Sequence, residues 1–200
     1  RGLDEAIKSL TMVGVLFALF VTMQGPHGCV KDMARAASLA EYGLFAGAYV
    51  ALNFLLVPLL FLAVSYLSKV ASGNREVSLT RVFVEFSYCL VPLGLARWAS
   101  FSLGVFLPNG SYLPRVLSDP FGAGWNLFGT ASYAWTPWLT GALPYLQTGI
   151  LLAGLAVSLE YGRRFASRIF ATEAEATRGW VPMLIFLVGL SMFFLWLFEG

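Results

Sequence analysis

The chain alternates long apolar runs with short polar breaks, and the runs have membrane-crossing length. A spanning helix needs roughly 20 mainly apolar residues, because hydrocarbon satisfies no open backbone group. Five stretches qualify: about Ile7 to Met23, Leu39 to Val70, Thr80 to Leu107, Gly141 to Phe165 and Trp180 to Phe198. The second exceeds one straight crossing and contains Pro58, so a tilt, a kink or an extension must absorb the excess. Pro92 interrupts the third, whereas Pro144 falls in the opening turn of the fourth, where a missing donor costs little. Trp180 and Trp196 bracket the fifth as interfacial anchors. Gly43 and Gly47 give the second a small-xxx-small face suited to packing. The expected fold is all-α: an integral membrane bundle of about five transmembrane helices, forming a single membrane domain over residues 1–200.

Composition supports this reading and removes others. With 58% hydrophobic and 12% charged residues and a mean hydropathy of +0.73, the chain is neither a soluble domain nor disordered. Two cysteines, Cys29 and Cys89, cannot staple a secreted scaffold, and neither is half of a metal-ligand pair. A net charge of +2, scattered along the chain, predicts no nucleic-acid partner. Its distribution is more informative. One set of connections carries Arg1, Lys8, Lys69, Arg75, Arg81, Arg163, Arg164, Arg168 and Arg178; the other carries Lys31, Arg35 and Arg115. Because basic residues are retained in the cytoplasm, the N-terminus is expected inside and the C-terminus outside. Opening on Arg1, the chain is expected to be a processed form or part of a longer one. The apolar run to Met23 ends in Gln24-Gly25-Pro26, without a small-residue cleavage motif.

Residues 108–140 form an outer loop rich in Gly, Pro and Ser that also carries Trp125, Trp135, Trp138, Tyr112, Tyr133, Phe121 and Phe128. It is too aromatic to float freely. Its rings are expected at headgroup level as an aromatic belt, or as a docking surface for another subunit. Pro108-Asn109-Gly110 and Asp119-Pro120 supply turns. Asn109-Gly110-Ser111 matches a glycosylation acceptor, although a turn explains it equally well. Thr172 to Thr177 reads as a short solvated turn. No fixed-period repeat is present, which weakens an inverted-repeat transporter architecture.

Soluble-enzyme motifs are absent, including phosphate loops, dinucleotide fingerprints, Cys-x-x-Cys and His-Glu-x-x-His. The single histidine, His27, reads as a surface residue and rules out bis-histidine haem ligation within the chain. Ionisable groups inside the spans are the remaining candidates, each costing about 2.5–3.5 kcal/mol at the bilayer centre. Arg97 is the clearest, at about 15 Å from the end of its helix at 1.5 Å per residue. Asn53 and Gln147 offer acceptors at comparable depth. The three read either as an internal hydrogen-bonded brace or as a site meeting an anion, a quinone headgroup or a proton path. Glu41, Glu85 and Glu160 lie near helix ends and read as solvated ion-pair partners.

Three stretches extend this picture. Met23-Gln24-Gly25-Pro26-His27-Gly28-Cys29-Val30-Lys31-Asp32 follows the first helix. Phe86-Ser87-Tyr88-Cys89-Leu90-Val91-Pro92-Leu93-Gly94-Leu95-Ala96 lies in the third, and Leu143-Pro144-Tyr145-Leu146-Gln147-Thr148-Gly149 leads to Ser158-Leu159-Glu160-Tyr161-Gly162-Arg163-Arg164. Together they resemble the membrane region of bacterial ferredoxin-type 4Fe-4S membrane proteins. The resemblance covers most of the chain and implies electron transfer between a quinone or partner protein and an acceptor. Two departures stand out. The cysteine-rich cluster motif is missing, and Phe101 and Val105 occupy positions where many relatives carry histidines four residues apart. The resemblance thus implies a non-catalytic, multi-pass subunit of a redox complex in the bacterial inner membrane. It would bind membrane lipid, anchor other subunits that carry haem or iron-sulfur clusters, and contribute Arg97, Asn53 and Gln147 to a quinone pocket while holding no cofactor alone. A small-molecule or ion permease is the alternative.

Overall fold

The structure, a computed structural model, describes residues 2–19 and 38–199. It is 79% helical, with no strand among the described residues. In chain order the elements are α1 (Leu3–Leu19), α2 (Leu39–Ala51), a π-helical turn (Leu52–Leu56), α3 (Val57–Ser72), α4 (Leu79–Ser87), α5 (Leu90–Asn109), a 3-10 turn (Gly110–Tyr112), α6 (Leu113–Ser118), α7 (Leu143–Ile169) and α8 (Glu173–Glu199). Among the described residues four continuous stretches are long and apolar enough to cross a membrane: Leu39–Ser72, Leu79–Ser118, Leu143–Ile169 and Glu173–Trp196. Helix α1 covers part of the first expected span; residues 20–23 of that span lie outside the described residues, as do His27, Cys29, Lys31 and Arg35.

Apolar and polar surfaces are arranged as lipid requires. Only 22–33% of each most apolar window is buried, so large side chains such as Leu59, Leu95 and Ile185 point outward. Serines 65, 68, 72, 87, 158 and 191 are buried instead. Lipid provides no hydrophobic drive for helix association, so small residues that permit close backbone approach do more than additional leucines. Most of their hydroxyls are satisfied locally: Ser65 donates to the Phe61 carbonyl at 2.8 Å, Ser87 to Val84 at 2.7 Å and Ser191 to Leu187 at 2.9 Å.

Two prolines shape the spans. A proline lacks an N–H and crowds the carbonyl four residues earlier. Upstream of Pro58, residues 52–56 relax into the π turn, and the Val57 N–H reaches back to the Leu52 carbonyl. Ahead of Pro92, the predicted single helix breaks at Tyr88–Cys89, where Val91 N–H bonds to the Tyr88 carbonyl at 3.3 Å. A second helix takes up a donor just after this break: the Ser158 hydroxyl of α7 accepts from the Leu93 N–H at 3.0 Å.

Helix ends follow local chemistry. Ser38 and Ser78 accept from the Glu41 and Arg81 N–H groups, capping α2 and α4. Gly73, at φ 74°, ends α3 in the left-handed conformation that glycine tolerates. Thr172 accepts from the Glu175 N–H, so α8 begins at Glu173 and absorbs residues expected to form a turn.

The structure resolves into two compact units, Arg1–Arg97 with Leu151–Gly200, and Trp98–Ile150. In the first, α3 and α8 pack most extensively. Val57, Phe61, Ser65, Ser68 and Ser72 are buried on α3, and α8 buries a heptad-like series: Ala176, Trp180, Met183, Leu187, Leu190 and Phe194. The two helices run antiparallel, since Asn74, just after α3, donates to Glu175 in the first turn of α8 at 2.9 Å. Phe61 meets Phe83 and Phe186 edge-on at 5.3 and 5.9 Å, joining α4 to this seam. Gly43 and Gly47, by contrast, have no atom within 4 Å of where a Cβ would stand, so their face is open among the described residues.

In the second unit the aromatic loop is folded against its own backbone. Asp119 accepts from the Ala123 and Gly124 N–H groups at 2.9 Å each, and the Trp135 indole donates to the Pro108 carbonyl at 3.0 Å. Asn109 donates to Val105 and Ser111 accepts from the Thr136 N–H, so both ends of the glycosylation-like triplet serve the turn. Trp125, Trp135 and Trp138 remain about half exposed.

Close approach makes a testable demand. A Cβ on Gly154 of α7 would collide with the Ala96 side chain and lie 3.1 Å from the Pro92 carbonyl of α5. Gly154→Leu is expected to destabilise the chain by about 1–3 kcal/mol, whereas Gly47→Leu leaves thermal unfolding in detergent near wild type. Equal melting of the two variants would show that the α5–α7 approach is not tight.

Candidate functional site

Arg97 lies seven residues into α5 and is fully buried. Its guanidinium carbon stands 5.1 Å from the centre of the Phe194 ring of α8. Phe194 is fourteen residues beyond Trp180 and two before Trp196, about 21 Å and 3 Å along the helix, so the cation lies towards the Trp196 end of the apolar run and not at its centre. A cation over a ring face gains about 0.5–2 kcal/mol. That offsets part of the intramembrane cost of about 2.5–3.5 kcal/mol. The aromatic partner was not legible in the sequence, because Phe194 sits in a run of apolar residues with nothing to mark it.

Asn53 belongs to the same unit and occupies the π turn, 3% exposed. Its amide rests against Gly14 of α1, where a Cβ would collide with Oδ1, so a glycine at 14 makes room for an asparagine at 53. Its Oδ1 has no hydrogen-bond donor among the described residues. The π turn places this amide: without Pro58 the helix would continue with regular α spacing through residue 53.

Gln147 belongs to the second unit and is 9% exposed. It makes a reciprocal pair with Ser100: Gln147 Nε2 donates to the Ser100 carbonyl at 2.9 Å, and Ser100 Oγ donates to the Gln147 carbonyl at 3.1 Å. Gly104, one turn beyond Ser100, leaves space for the amide. Sequence reading singled out Gln147 but missed Ser100, whose residue type is common in the chain. Phe101 lies beside Trp98 at 6.3 Å, ring edge to face, and Val105 is exposed.

The carboxylates near helix ends behave diversely. Glu160 pairs with Arg164 at 2.8 Å on an exposed helix face, worth about 0.3–0.5 kcal/mol. Glu5, in the first turn of α1, accepts from the Tyr88 phenol. That bond, assisted by the Gly2 N–H, holds the Glu5 carboxyl below its ordinary value of 4.5. Cys89 is buried. No three His, Cys, Asp or Glu residues gather as a metal-ligand set among the described residues.

Surface depressions lie elsewhere. One, between α7 and α8, is lined by Arg163, Ser167, Glu173, Thr177 and Trp180, and a neighbouring one by Glu160, Arg163, Arg164, Ser167 and Arg168. An apolar groove beside Pro58 is lined by Leu55, Leu59, Leu62, Leu79 and Phe83.

Two outcomes are expected. Gln147→Leu keeps the volume but leaves the Ser100 carbonyl without its side-chain donor, costing about 1–3 kcal/mol; a thermal midpoint equal to wild type would show that the pair contributes nothing. A depressed carboxyl contributes stability above its unfolded value and loses it as pH falls through the lower folded value. Tyr88→Phe should therefore move the acid end of the unfolding profile up towards pH 4.5, read by circular dichroism; an unmoved profile would show that the phenol does not act on Glu5. No family model, curated protein or solved structure matches this chain.

Proposed function

We propose that this chain is a non-catalytic membrane subunit of a bacterial redox complex, lodged in the inner membrane with its N-terminus in the cytoplasm. It anchors partner chains that carry haem or iron-sulfur clusters and contributes Arg97 and Asn53 to a quinone pocket. The observation supporting a scaffold is that polar interior groups are spent on holding helices. Gln147 and Ser100 close on each other, Ser158 accepts from the Leu93 N–H beside Pro92, and Arg97 lies against Phe194. The resemblance of Phe86 to Ala96 and of Leu143 to Arg164 to ferredoxin-type membrane proteins supports the redox assignment. In this reading the helices set the depth of a partner's redox centre, and the Arg97 cation favours the reduced, anionic quinone. Asn53, with an acceptor oxygen open among the described residues, suits a quinol hydroxyl.

Isolation from its native membrane in mild detergent tests this. Co-purifying chains with haem or cluster absorbance are expected, and Arg97→Ala should lower quinone-linked turnover further than it lowers the yield of the assembly. A colourless, solitary protein that carries solutes into liposomes would contradict the proposal and identify a permease. Equal losses of turnover and yield would make Arg97 a brace and remove it from the quinone pocket.

A further inference from the structure

The geometry points to a binding site for an anionic phospholipid between α7 and α8, with Arg163 as its central cation. Arg163 lines both depressions, one of about 330 Å³ reaching Trp180 and one of about 380 Å³ reaching Arg164 and Arg168. Neighbouring charges are unequal. Arg164 is paired with Glu160, and Arg168 stands 5.9 Å from the Phe165 ring, while no carboxylate lies within ion-pair distance of Arg163 among the described residues. A planar guanidinium with five donors suits the two free oxygens of a phosphodiester.

The position of the site selects a lipid over a free anion. Trp180 lines the first depression and lies against Gly162, where a Cβ would collide with the indole, so the tryptophan fixes the depth of the pocket. Trp180 lies two residues after Arg178, at the end of the helices where Arg163, Arg164 and Arg168 also collect, and basic residues of this kind gather at headgroup level. Directly along the helices from the cationic mouth, the surface turns apolar. Val181 is one turn beyond Thr177 and Leu184 follows it, while Leu152 lies three turns before Arg163 on the same face of α7; all three are exposed. A cation at the interface above an apolar exposed stripe matches an amphiphile with a phosphate head and acyl chains. Helix polarity and topology explain why arginines gather near the end of α7. They do not explain a pocket shared with Trp180.

Native mass spectrometry of the full chain, released from dodecyl maltoside after mixing with dioleoyl-phosphatidylglycerol or dioleoyl-phosphatidylcholine, tests the site. Phosphatidylglycerol should be retained over phosphatidylcholine, and R163Q should weaken that retention about fivefold, the expected effect of one arginine near a membrane surface. R75Q removes the same charge from the α3–α4 connection without touching either depression and should retain the lipid as wild type does. Added inorganic phosphate should leave the adduct intact. Equal losses for R163Q and R75Q would replace the site with diffuse surface charge. Equal retention of the two lipids, or displacement by inorganic phosphate, would equally overturn it.

Discussion

Hydrocarbon offers no hydrogen bonds, and that constraint orders nearly every feature of the chain. Each polar group inside a span must find its partner within the protein or bear a desolvation cost of several kcal/mol. Ser65 of α3 and Ser191 of α8 bond back to their own helices, which leaves their small volumes free to bring backbones together. Gln147 and Ser100 solve the same problem between helices. At Pro92, where the backbone loses a bond, Ser158 bonds the nearby Leu93 N–H from another helix. Large apolar side chains such as Leu59, Leu95 and Ile185 point outward, around an interior that also holds Phe61, Leu187 and Phe194.

The sequence makes the number and rough extent of the spans legible because length and apolarity alone determine them. Leu39 to Val70 and Thr80 to Leu107 were recognisable as crossings, and Pro58 and Pro92 as points of trouble. The form of the trouble was not legible. One proline yields a π turn and the other a break, depending on whether a neighbouring side chain such as Ser158 is placed to take the freed donor. Thr172 to Thr177 was misread as a turn, since its charges outweighed the capping pattern Thr172-x-x-Glu175 that starts α8. Gly43 and Gly47 show the opposite failure: a packing motif present in the sequence with no helix against it among the described residues.

Candidate chemistry was legible as residue type and depth, but not as partnership. Arg97, Asn53 and Gln147 are each buried, as a polar residue inside a span should be. What they touch depends on single atoms that no periodicity encodes: a phenylalanine ring for the arginine, a glycine backbone for the asparagine, a serine carbonyl for the glutamine. Basic residues at the end of α7 read from sequence as topology markers. The depression that Arg163 shares with Trp180 adds a shaped surface where that reading had only charge.

A scaffold of this kind requires an interior closed to water. Cysteines placed singly at 53, 100, 147 and 167, in a chain whose native Cys29 and Cys89 are replaced, can be probed in liposomes with a membrane-impermeant thiol reagent. Position 167, on an exposed face, should react, while 53, 100 and 147 stay protected. Rapid labelling at the three interior positions would reveal an aqueous path and contradict a scaffold whose polar groups serve its own helices.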